Sequence, residues 1–305
     1  MGAPVMVRFG VSPIAWINDD LPELGGETPV ETVLGDAHAL GFDGIELGGK
    51  FPRDPVRLGT ELGAHQLALV GGWWSAALLV RSVEEEIEAL QAHLQLLEAL
   101  GSGVFIIAEC SNTIHGDRRR PLSATPRLPE RQWAAFGERL SALARYLEER
   151  GLRLAYHFHL GTVVDREEDI RRLIAHTDPR VGFVIDTGHA ALGGIDAEQL
   201  IRRHPDRVAH VHTKDVRRQV FDEVRERNGS FLDGVLAGMF TAPGDGDLDF
   251  RGVAQALIDI GYSGWVVVEA EQDPALADPR VYSRIGLQTV RRLLEPPHQT
   301  SGALR

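Results

Sequence analysis

Short runs of apolar, often β-branched residues alternate along the chain with longer segments in which apolar residues recur at helical spacing. Several of the short runs are apolar at nearly every position, as in Val104-Phe105-Ile106-Ile107, which is typical of strands buried on both faces of a sheet. Strands of this kind that alternate with helices indicate a parallel sheet. Eight such units predict a closed (β/α)8 barrel, the TIM-barrel fold of the α/β class. We place the strands at residues 9–14, 44–47, 66–70, 104–108, 152–157, 182–185, 208–212 and 265–268.

Two of the intervening segments carry clear helix signals. Ser82 precedes three consecutive glutamates, an N-cap followed by acidic residues where the helix dipole favours them. We predict a helix from there to about residue 100, with Gly101 ending it. Residues 129–151 predict a second helix. Its apolar positions are expected to face the core, and they are Trp133, Phe136, Leu140, Leu143 and Leu147.

Composition narrows the class of protein. The 305 residues carry a formal net charge of −12, which argues against nucleic-acid binding because that requires clustered Lys and Arg. Cys110 is the only cysteine, so an intramolecular disulfide and a thiolate metal cage are excluded, and we expect it to be a buried, inert thiol. We find no apolar run of about 20 residues and no leader-like N-terminus. We therefore expect a cytoplasmic protein with no membrane partner, built as one domain over residues 1–305 with a loose tail at 296–305.

Polar residues follow one predicted strand after another. In a (β/α)8 barrel the carboxyl ends of the strands form the active site, and a buried charge there must be paired or bound to a metal. Strands five to eight deliver His, Asp, His and Glu to this rim. Imidazole and carboxylate without thiolate suit manganese, cobalt, zinc or iron, so we predict a divalent metal. The polar residues at the rim are Glu46, Glu109, His157, His159, Asp186, His189, His210, His212, Lys214, Asp215, Glu269 and Glu271.

Spacing separates some of these residues. Side chains two apart on a strand share a face, so His210 and His212 point the same way, and only the one nearer the carboxyl end reaches a metal at the rim. This favours His212 over His210. His189 lies past the end of strand six, where it would meet the substrate instead of the metal.

The motifs Asp186-Thr187-Gly188-His189, His210-Val211-His212-Thr213-Lys214-Asp215 and Val267-Val268-Glu269 resemble the metal-binding strands of the xylose-isomerase-like barrel enzymes. The resemblance implies that Asp186, His212 and Glu269 are metal ligands and that His189 contacts the substrate. That superfamily includes isomerases, epimerases, dehydratases and a DNA-repair endonuclease, so the fold alone does not decide the chemistry. The endonuclease would require more histidines and a basic groove, which the charge of −12 disfavours.

Five further stretches, residues 10–16, 109–112, 156–162, 243–250 and 269–274, are similar to one family within that superfamily, the inosose dehydratases. This resemblance implies a metal-dependent lyase of myo-inositol catabolism that removes water from scyllo-inosose, a polyol ketone, to give a trihydroxycyclohexane-1,2-dione. It also implies manganese or cobalt as the metal, and glutathione is associated with that family. A metal-dependent sugar or ketose isomerase or epimerase on the same barrel remains the alternative, and homo-oligomerisation is left open.

Strand five distinguishes the two alternatives. The related epimerases carry there a Glu that binds the metal and moves a proton, whereas this chain has His157. Either His157 becomes the fourth ligand, or the metal has three protein ligands and more water. Loss of that Glu favours elimination over epimerisation.

Dehydration next to a ketone requires a base for the α-proton and an acid for the leaving hydroxide. We favour a strand-five histidine or Glu269 as the base, with His189 or Lys214 on a substrate oxygen. Trp16, Trp73 and Trp74 either wall a ring-shaped substrate or pack on the rim, and Gly244 and Gly246 are expected to shape a loop over the site. The full set of acid and base candidates is His159, His189, Lys214, Glu269, Glu109 and Glu271.

Overall fold

The predicted barrel is confirmed. The structure, a computed structural model, describes residues 7–295, so the predicted loose tail lies outside the described residues. Eight parallel strands close into one barrel in chain order, with the last strand pairing back onto the first. The strands are β1 Arg8–Val11, β2 Gly44–Leu47, β3 Ala68–Ala76, β4 Val104–Glu109, β5 Arg153–His157, β6 Gly182–Asp186, β7 Val208–Thr213 and β8 Trp265–Val268.

Helices cover the outside of the barrel. In the described part of the chain, one helix follows each of the first five strands, two follow β6, three follow β7 and one follows β8. An antiparallel ribbon of Asp215–Val216 and Phe240–Thr241 lies in the connection after β7. Among residues 7–295, none of the helices combines the length and apolar character that crossing a bilayer requires. The helices are α1 Val30–Leu40, α2 Pro55–Ala64, α3 Val83–Ala99, α4 Trp133–Glu149, α5 Glu167–His176, α6 Thr187–Gly193, α7 Ala197–Arg203, α8 Arg218–Glu226, α9 Phe231–Ala237, α10 Phe250–Asp259 and α11 Pro279–Leu294.

Both predicted helices form, with small shifts at their ends. Ser82 caps α3 as expected, since its side chain accepts from the Glu85 amide at 3.2 Å and the Glu85 carboxylate accepts from the Ser82 amide at 2.7 Å. The second helix starts four residues later than predicted, at Trp133, because Glu130–Gln132 forms a 3-10 turn. All five of the apolar positions assigned to its inner face are buried.

Two strands, β1 and β3, differ from the prediction by more than one residue at an end. Strand β1 ends at Val11 because Pro13–Ala15 forms a 3-10 turn capped by Ser12. The sequence predicts a strand over residues 66–70, but β3 runs from Ala68 to Ala76 and so continues through Gly71 and Gly72. A Cβ atom at Gly72 would lie 2.9 Å from the His93 ring and 3.1 Å from the Leu47 side chain. Glycine at this position therefore allows close packing of the strand, and the tryptophans that follow belong to β3.

Apolar side chains fill the lower part of the barrel interior. One cluster combines Ile106, Ala155, Val184 and Ala209 from four adjacent strands, with Trp73 packed against it. This packed layer closes the barrel from below. The polar side chains at the carboxyl ends of the strands therefore line a cavity that has an apolar floor.

Candidate active site

Asp186, His212 and Glu269 meet at the carboxyl ends of three adjacent strands. Asp186 ends β6, His212 is the penultimate residue of β7, and Glu269 directly follows β8. Asp186 Oδ2 lies 3.6 Å from His212 Nδ1, and His212 Nδ1 lies 3.0 Å from Glu269 Oε2. These three atoms are buried and have no hydrogen-bond partner among the described residues. Atoms that bind one ion at about 2.0–2.2 Å lie roughly 3 Å apart, so the three atoms fit a shared divalent cation.

The other polar atom of each of these side chains is already engaged. Asp186 Oδ1 accepts from the His189 amide at 2.8 Å, His212 Nε2 lies 2.8 Å from Glu46 Oε1, and Glu269 Oε1 lies 3.2 Å from Lys214 Nζ. Each side chain is therefore held from behind and presents a single ligand atom to the centre. A carboxylate behind a metal-binding histidine fixes the ring orientation and raises the basicity of the ligand nitrogen.

The electrostatic field at this point favours a positive charge. Burial alone would lower the pKa of His212, but the carboxylates of Glu46 and Glu269 raise it well above its ordinary value. The same negative surroundings that stabilise an imidazolium also stabilise a metal cation beside a neutral imidazole. The electrostatic field and the unpaired ligand atoms therefore both favour a bound divalent cation at this point.

Glu46, at the end of β2, is a site residue whose role the sequence did not reveal. Its Oε1 atom lies 2.8 Å from His212 Nε2 and 2.9 Å from His210 Nε2. Burial alone would raise the pKa of Glu46, but the two histidines lower it well below its ordinary value. Glu46 therefore remains ionised and fixes His212 with Nδ1 facing Asp186 and Glu269, while His210 supports Glu46 from below.

Replacing Glu46 by glutamine should weaken metal binding about 10- to 100-fold, the usual cost of losing an outer-shell carboxylate. The amide keeps the shape of the side chain but not the charge behind the His212 ring. Competition titration against a chromophoric chelator measures the effect. The exposed Glu84 provides the matched control, because Glu84→Gln should leave affinity unchanged. Equal affinity in Glu46→Gln and Glu84→Gln would show that Glu46 does not support the metal.

His157 reaches the same centre from the end of β5. Its Nδ1 donates to the Phe158 carbonyl at 2.9 Å, so the neutral ring has a bare Nε2, which lies 3.6 Å from Asp186 Oδ2. The ligand atoms of His157, Asp186 and His189 form one close group, and those of Asp186, His212 and Glu269 form another, so the two groups share Asp186. The structure thus brings together three of the four residues predicted as metal ligands and places the fourth, His157, beside Asp186.

His159 and His189 present opposite chemistry to the cavity. His159 Nδ1 donates to the Leu160 carbonyl at 2.8 Å, which leaves Nε2 without a hydrogen. His189 Nδ1 accepts from the Leu160 amide at 3.2 Å, so its proton is on Nε2. Burial, together with nearby positive groups, holds the pKa of each ring well below its ordinary value. His159 is therefore a free base, and His189 is a hydrogen-bond donor.

Lys214 lies between these histidines and the carboxylates of strand eight. Its Nζ atom is 2.9 Å from Glu271 Oε2 and 3.3 Å from His189 Nε2. Burial alone would lower the pKa of Lys214, but Glu269 and Glu271 raise it above its ordinary value, so the side chain is an ammonium. Burial also raises the pKa of Glu271 to about 7, and its Oε1 atom has no partner among the described residues.

Glu109 does not join this group, which corrects its place among the acid and base candidates. Its carboxylate accepts from the Ser111 amide at 2.9 Å and from the Leu79 amide at 3.3 Å, so it holds two loops. Among the described residues, the cavity lining does not include it. The neighbouring Cys110 is partly buried, and burial raises its pKa to about 12, which agrees with an unreactive thiol.

Only some of the predicted tryptophans reach the cavity, and the two glycines of the predicted loop do not. Trp73 and Trp74 line the cavity, whereas Trp16 is buried and donates to Asp36 at 3.0 Å. The amides of Gly244 and Gly246 donate to the Asp215 carboxylate at 3.0 Å each. This anchors their loop to the ribbon, and neither glycine is among the described residues that line the cavity.

The cavity above the metal centre has a volume of about 810 Å³, enough for a small organic molecule. Its lining combines His212 and Glu269 with the acid, base and donor groups described above, whereas Asp186 is not among the described residues that line it. The lining residues from these groups are Glu46, His157, His159, His189, His212, Lys214, Glu269 and Glu271.

The barrel fold, together with the histidine and carboxylate side chains clustered at the carboxyl ends of its strands, identifies the class to which this protein belongs. The chain belongs to the xylose isomerase-like TIM barrel family, whose model matches residues 34–293. Within that class it is 42% identical to the inosose dehydratase of Geobacillus thermodenitrificans, over 93% of this chain and 96% of the relative. It is 44% identical to the rhizopine catabolism protein MocC of Rhizobium meliloti, over 94% of this chain and 88% of the relative.

A solved structure shares the fold at low sequence identity. It is described as the IOLI protein with a binding zinc atom, and it superimposes with a TM-score of 0.69 at 16% identity, covering 94% of this chain and 98% of that one. At this identity the likeness establishes the barrel alone.

Proposed function

We propose that this chain is an inosose dehydratase, a metal-dependent hydro-lyase that converts scyllo-inosose to a trihydroxycyclohexane-1,2-dione in myo-inositol catabolism. The observation that carries the proposal is the convergence of three unpaired ligand atoms, on Asp186, His212 and Glu269. Two of these residues, His212 and Glu269, line a cavity that is also lined by His159, whose Nε2 is unprotonated. The similarity to curated inosose dehydratases over almost the whole chain supports the same activity.

Asp186, His212 and Glu269 would hold the metal, with His157 Nε2 as the fourth ligand. Nitrogen and carboxylate donors without thiolate suit manganese or cobalt, and zinc or iron are compatible with the same set. When bound, such a cation supplies Lewis-acid polarisation of the substrate ketone. The single, unreactive Cys110 fits a reducing cytoplasmic location.

His159 is the base in this mechanism. Its Nε2 lone pair takes the proton from the carbon next to the ketone, and the Leu160 carbonyl that accepts from Nδ1 stabilises the imidazolium that forms. The neighbouring His189 Nε2–H and the Lys214 ammonium both donate, and they stand 3.3 Å apart. Two donors side by side suit a substrate oxygen on which negative charge develops.

Glu271 is the acid. Its carboxyl proton passes to the hydroxyl group on the next ring carbon, whose C–O bond breaks so that water leaves. The Lys214 ammonium, 2.9 Å from Glu271 Oε2, stabilises the carboxylate that remains. The product enol then tautomerises to the dione. One C–H bond and one C–O bond are broken, and a C=C bond between the two ring carbons and an O–H bond in the released water are formed. The proton gained by His159 and the proton lost by Glu271 balance through solvent, and no electrons are exchanged with a co-reactant.

The test is to incubate metal-reconstituted protein with scyllo-inosose and to measure product mass, with and without glutathione. We expect a product lighter by one water molecule. A product of unchanged mass would instead identify an isomerase or epimerase, and the dehydratase assignment would be wrong.

A further inference from the structure

The segment between β1 and α1 closes on itself and forms one wall of the cavity. The Asn18 amide donates to the Leu24 carbonyl at 3.1 Å, and the Leu24 amide donates to the Leu21 carbonyl at 2.8 Å. Gly25, at φ +73°, lies so close to the Trp16 carbonyl that a Cβ atom would stand 1.8 Å from its oxygen. Only glycine fits there, and the segment is therefore held in one compact conformation.

Within this segment the orientation of the Asn18 side chain is fixed. Its Oδ1 accepts from the Asp20 amide at 2.9 Å and from the Leu21 amide at 2.8 Å. Two backbone N–H groups donate to this atom, so it must be the oxygen, and Nδ2 must lie on the other side with both of its hydrogens. The amide is therefore assigned without ambiguity.

Asn18 Nδ2 is a buried donor without an acceptor. Asn18 is 1% exposed and lines the cavity, yet its Nδ2 has no hydrogen-bond partner within residues 7–295. Buried polar groups are nearly always paired, and an unpaired one calls for an explanation. The Oδ1 side of this side-chain amide is occupied by the Asp20 and Leu21 amides, and Asn18 lines the cavity, so a molecule bound in the cavity is a source of the missing acceptor.

We propose that the Asn18 side-chain amide donates a hydrogen bond to one hydroxyl oxygen of the polyhydroxylated ketone and thereby helps to decide which substrate the site accepts. The proposal rests on the proposed function for the identity of the ligand. The donor is a neutral amide and the next two residues, Asp19 and Asp20, also line the cavity with carboxylates. This combination suits an uncharged hydroxyl group better than an anion, because nearby negative charge repels an anion.

The position of this donor is reinforced from a second loop. The Asp19 carboxylate accepts from the Gly49 amide, at 2.9 and 3.1 Å for its two oxygens, which links the segment to the connection after β2. A donor that is already ordered loses little entropy when it binds. Asn18 is therefore suited to discriminate between substrates that differ in one hydroxyl group.

The test is the variant Asn18→Asp, which retains an oxygen to accept from the Asp20 and Leu21 amides but lacks the donor. We expect unchanged metal content and a kcat/KM for scyllo-inosose that falls about 10- to 100-fold, as for other buried hydrogen bonds left unmade. Inosose analogues that each lack one hydroxyl not removed by the reaction identify the partner. In the wild type one analogue should react poorly, and Asn18→Asp should show no further loss with that analogue.

Asn228→Asp is the matched control, since Asn228 is exposed and outside this cavity, and it should react as the wild type does. A uniform loss across all analogues in Asn18→Asp, or no loss, would overturn the proposal.

Calorimetric binding of myo-inositol, a polyol without the reactive ketone, tests hydroxyl recognition by Asn18 separately from dehydration. If the wild type dehydrates no inosose but binds myo-inositol more tightly than Asn18→Asp does, the dehydratase proposal fails and hydroxyl recognition stands. Equal binding by both proteins would overturn the role of Asn18.

Discussion

Replacing Asp186 by asparagine should strip the metal from the protein and abolish most of its activity. Asp186 has two functions that the variant separates. Its Oδ1 accepts from the His189 amide at 2.8 Å and begins α6, while its Oδ2 is the unpaired atom that faces His212 and Glu269. Asparagine still accepts at the helix start but contributes no negative charge to the metal.

We expect metal affinity to fall by more than about 100-fold, because loss of an outer-shell partner alone costs about 10- to 100-fold. Dialysis against metal-free buffer followed by elemental analysis measures the loss. Asp196→Asn is the matched control: Asp196 caps α7 by accepting from the Gln199 amide at 2.9 Å and is exposed. Retention of a full equivalent of metal by Asp186→Asn, at the affinity of Asp196→Asn, would exclude Asp186 as a ligand.

The barrel and the central residues of the site could be predicted because both depend on local patterns. Apolar runs identify strands, and parallel strands in a barrel place their carboxyl ends at one rim. Asp186, His212 and Glu269 each lie within two residues of such an end, so their meeting follows from the topology. No knowledge of side-chain conformation was required.

Glu46 and Glu109 show what the sequence pattern cannot predict, which is the direction in which a side chain at a strand end turns. Both are acidic residues at the ends of strands, and the pattern does not distinguish them. Glu46 turns inward and meets His210, 164 positions away in the sequence, whereas Glu109 accepts from the amides of Ser111 and Leu79 in two loops. The difference depends on which partners the folded chain brings to each carboxylate, and the His210 and Leu79 partners lie far from the glutamates in the sequence.

Proton positions on the histidines likewise could not be read from the sequence. The sequence favours a strand-five histidine or Glu269 as the base and His189 or Lys214 on a substrate oxygen, but it does not show which nitrogen of His159 or His189 carries the proton. They differ because the Leu160 carbonyl accepts from one ring and the Leu160 amide donates to the other. The Leu160 backbone thus makes His159 a base and His189 a hydrogen-bond donor. This difference arises only when the loop folds.

The second large effect is expected from replacing the histidines at the end of strand five. His159→Gln should lower kcat about 10²- to 10⁴-fold, the usual contribution of a general base, and should leave metal content unchanged. His157→Gln is the natural comparison, because it changes the same residue type two positions earlier, at the last residue of β5. Since the bare Nε2 of His157 stands 3.6 Å from Asp186 Oδ2, that variant should weaken metal binding, and its activity should recover at saturating metal more than that of His159→Gln does.

Heavy water separates proton abstraction from the later loss of hydroxide. If His159 removes the α-proton reversibly, inosose recovered from a partly completed wild-type reaction will contain deuterium at that carbon, and His159→Gln will suppress both this exchange and dione formation. His157→Gln at saturating metal should restore exchange and elimination together. Rapid exchange by His159→Gln would show that another group is the base, with Glu269 the remaining candidate beside the metal. Wild-type protein that exchanges the proton but forms no dione would perform the first half of an epimerisation, and the assignment of this site to dehydration would then be wrong.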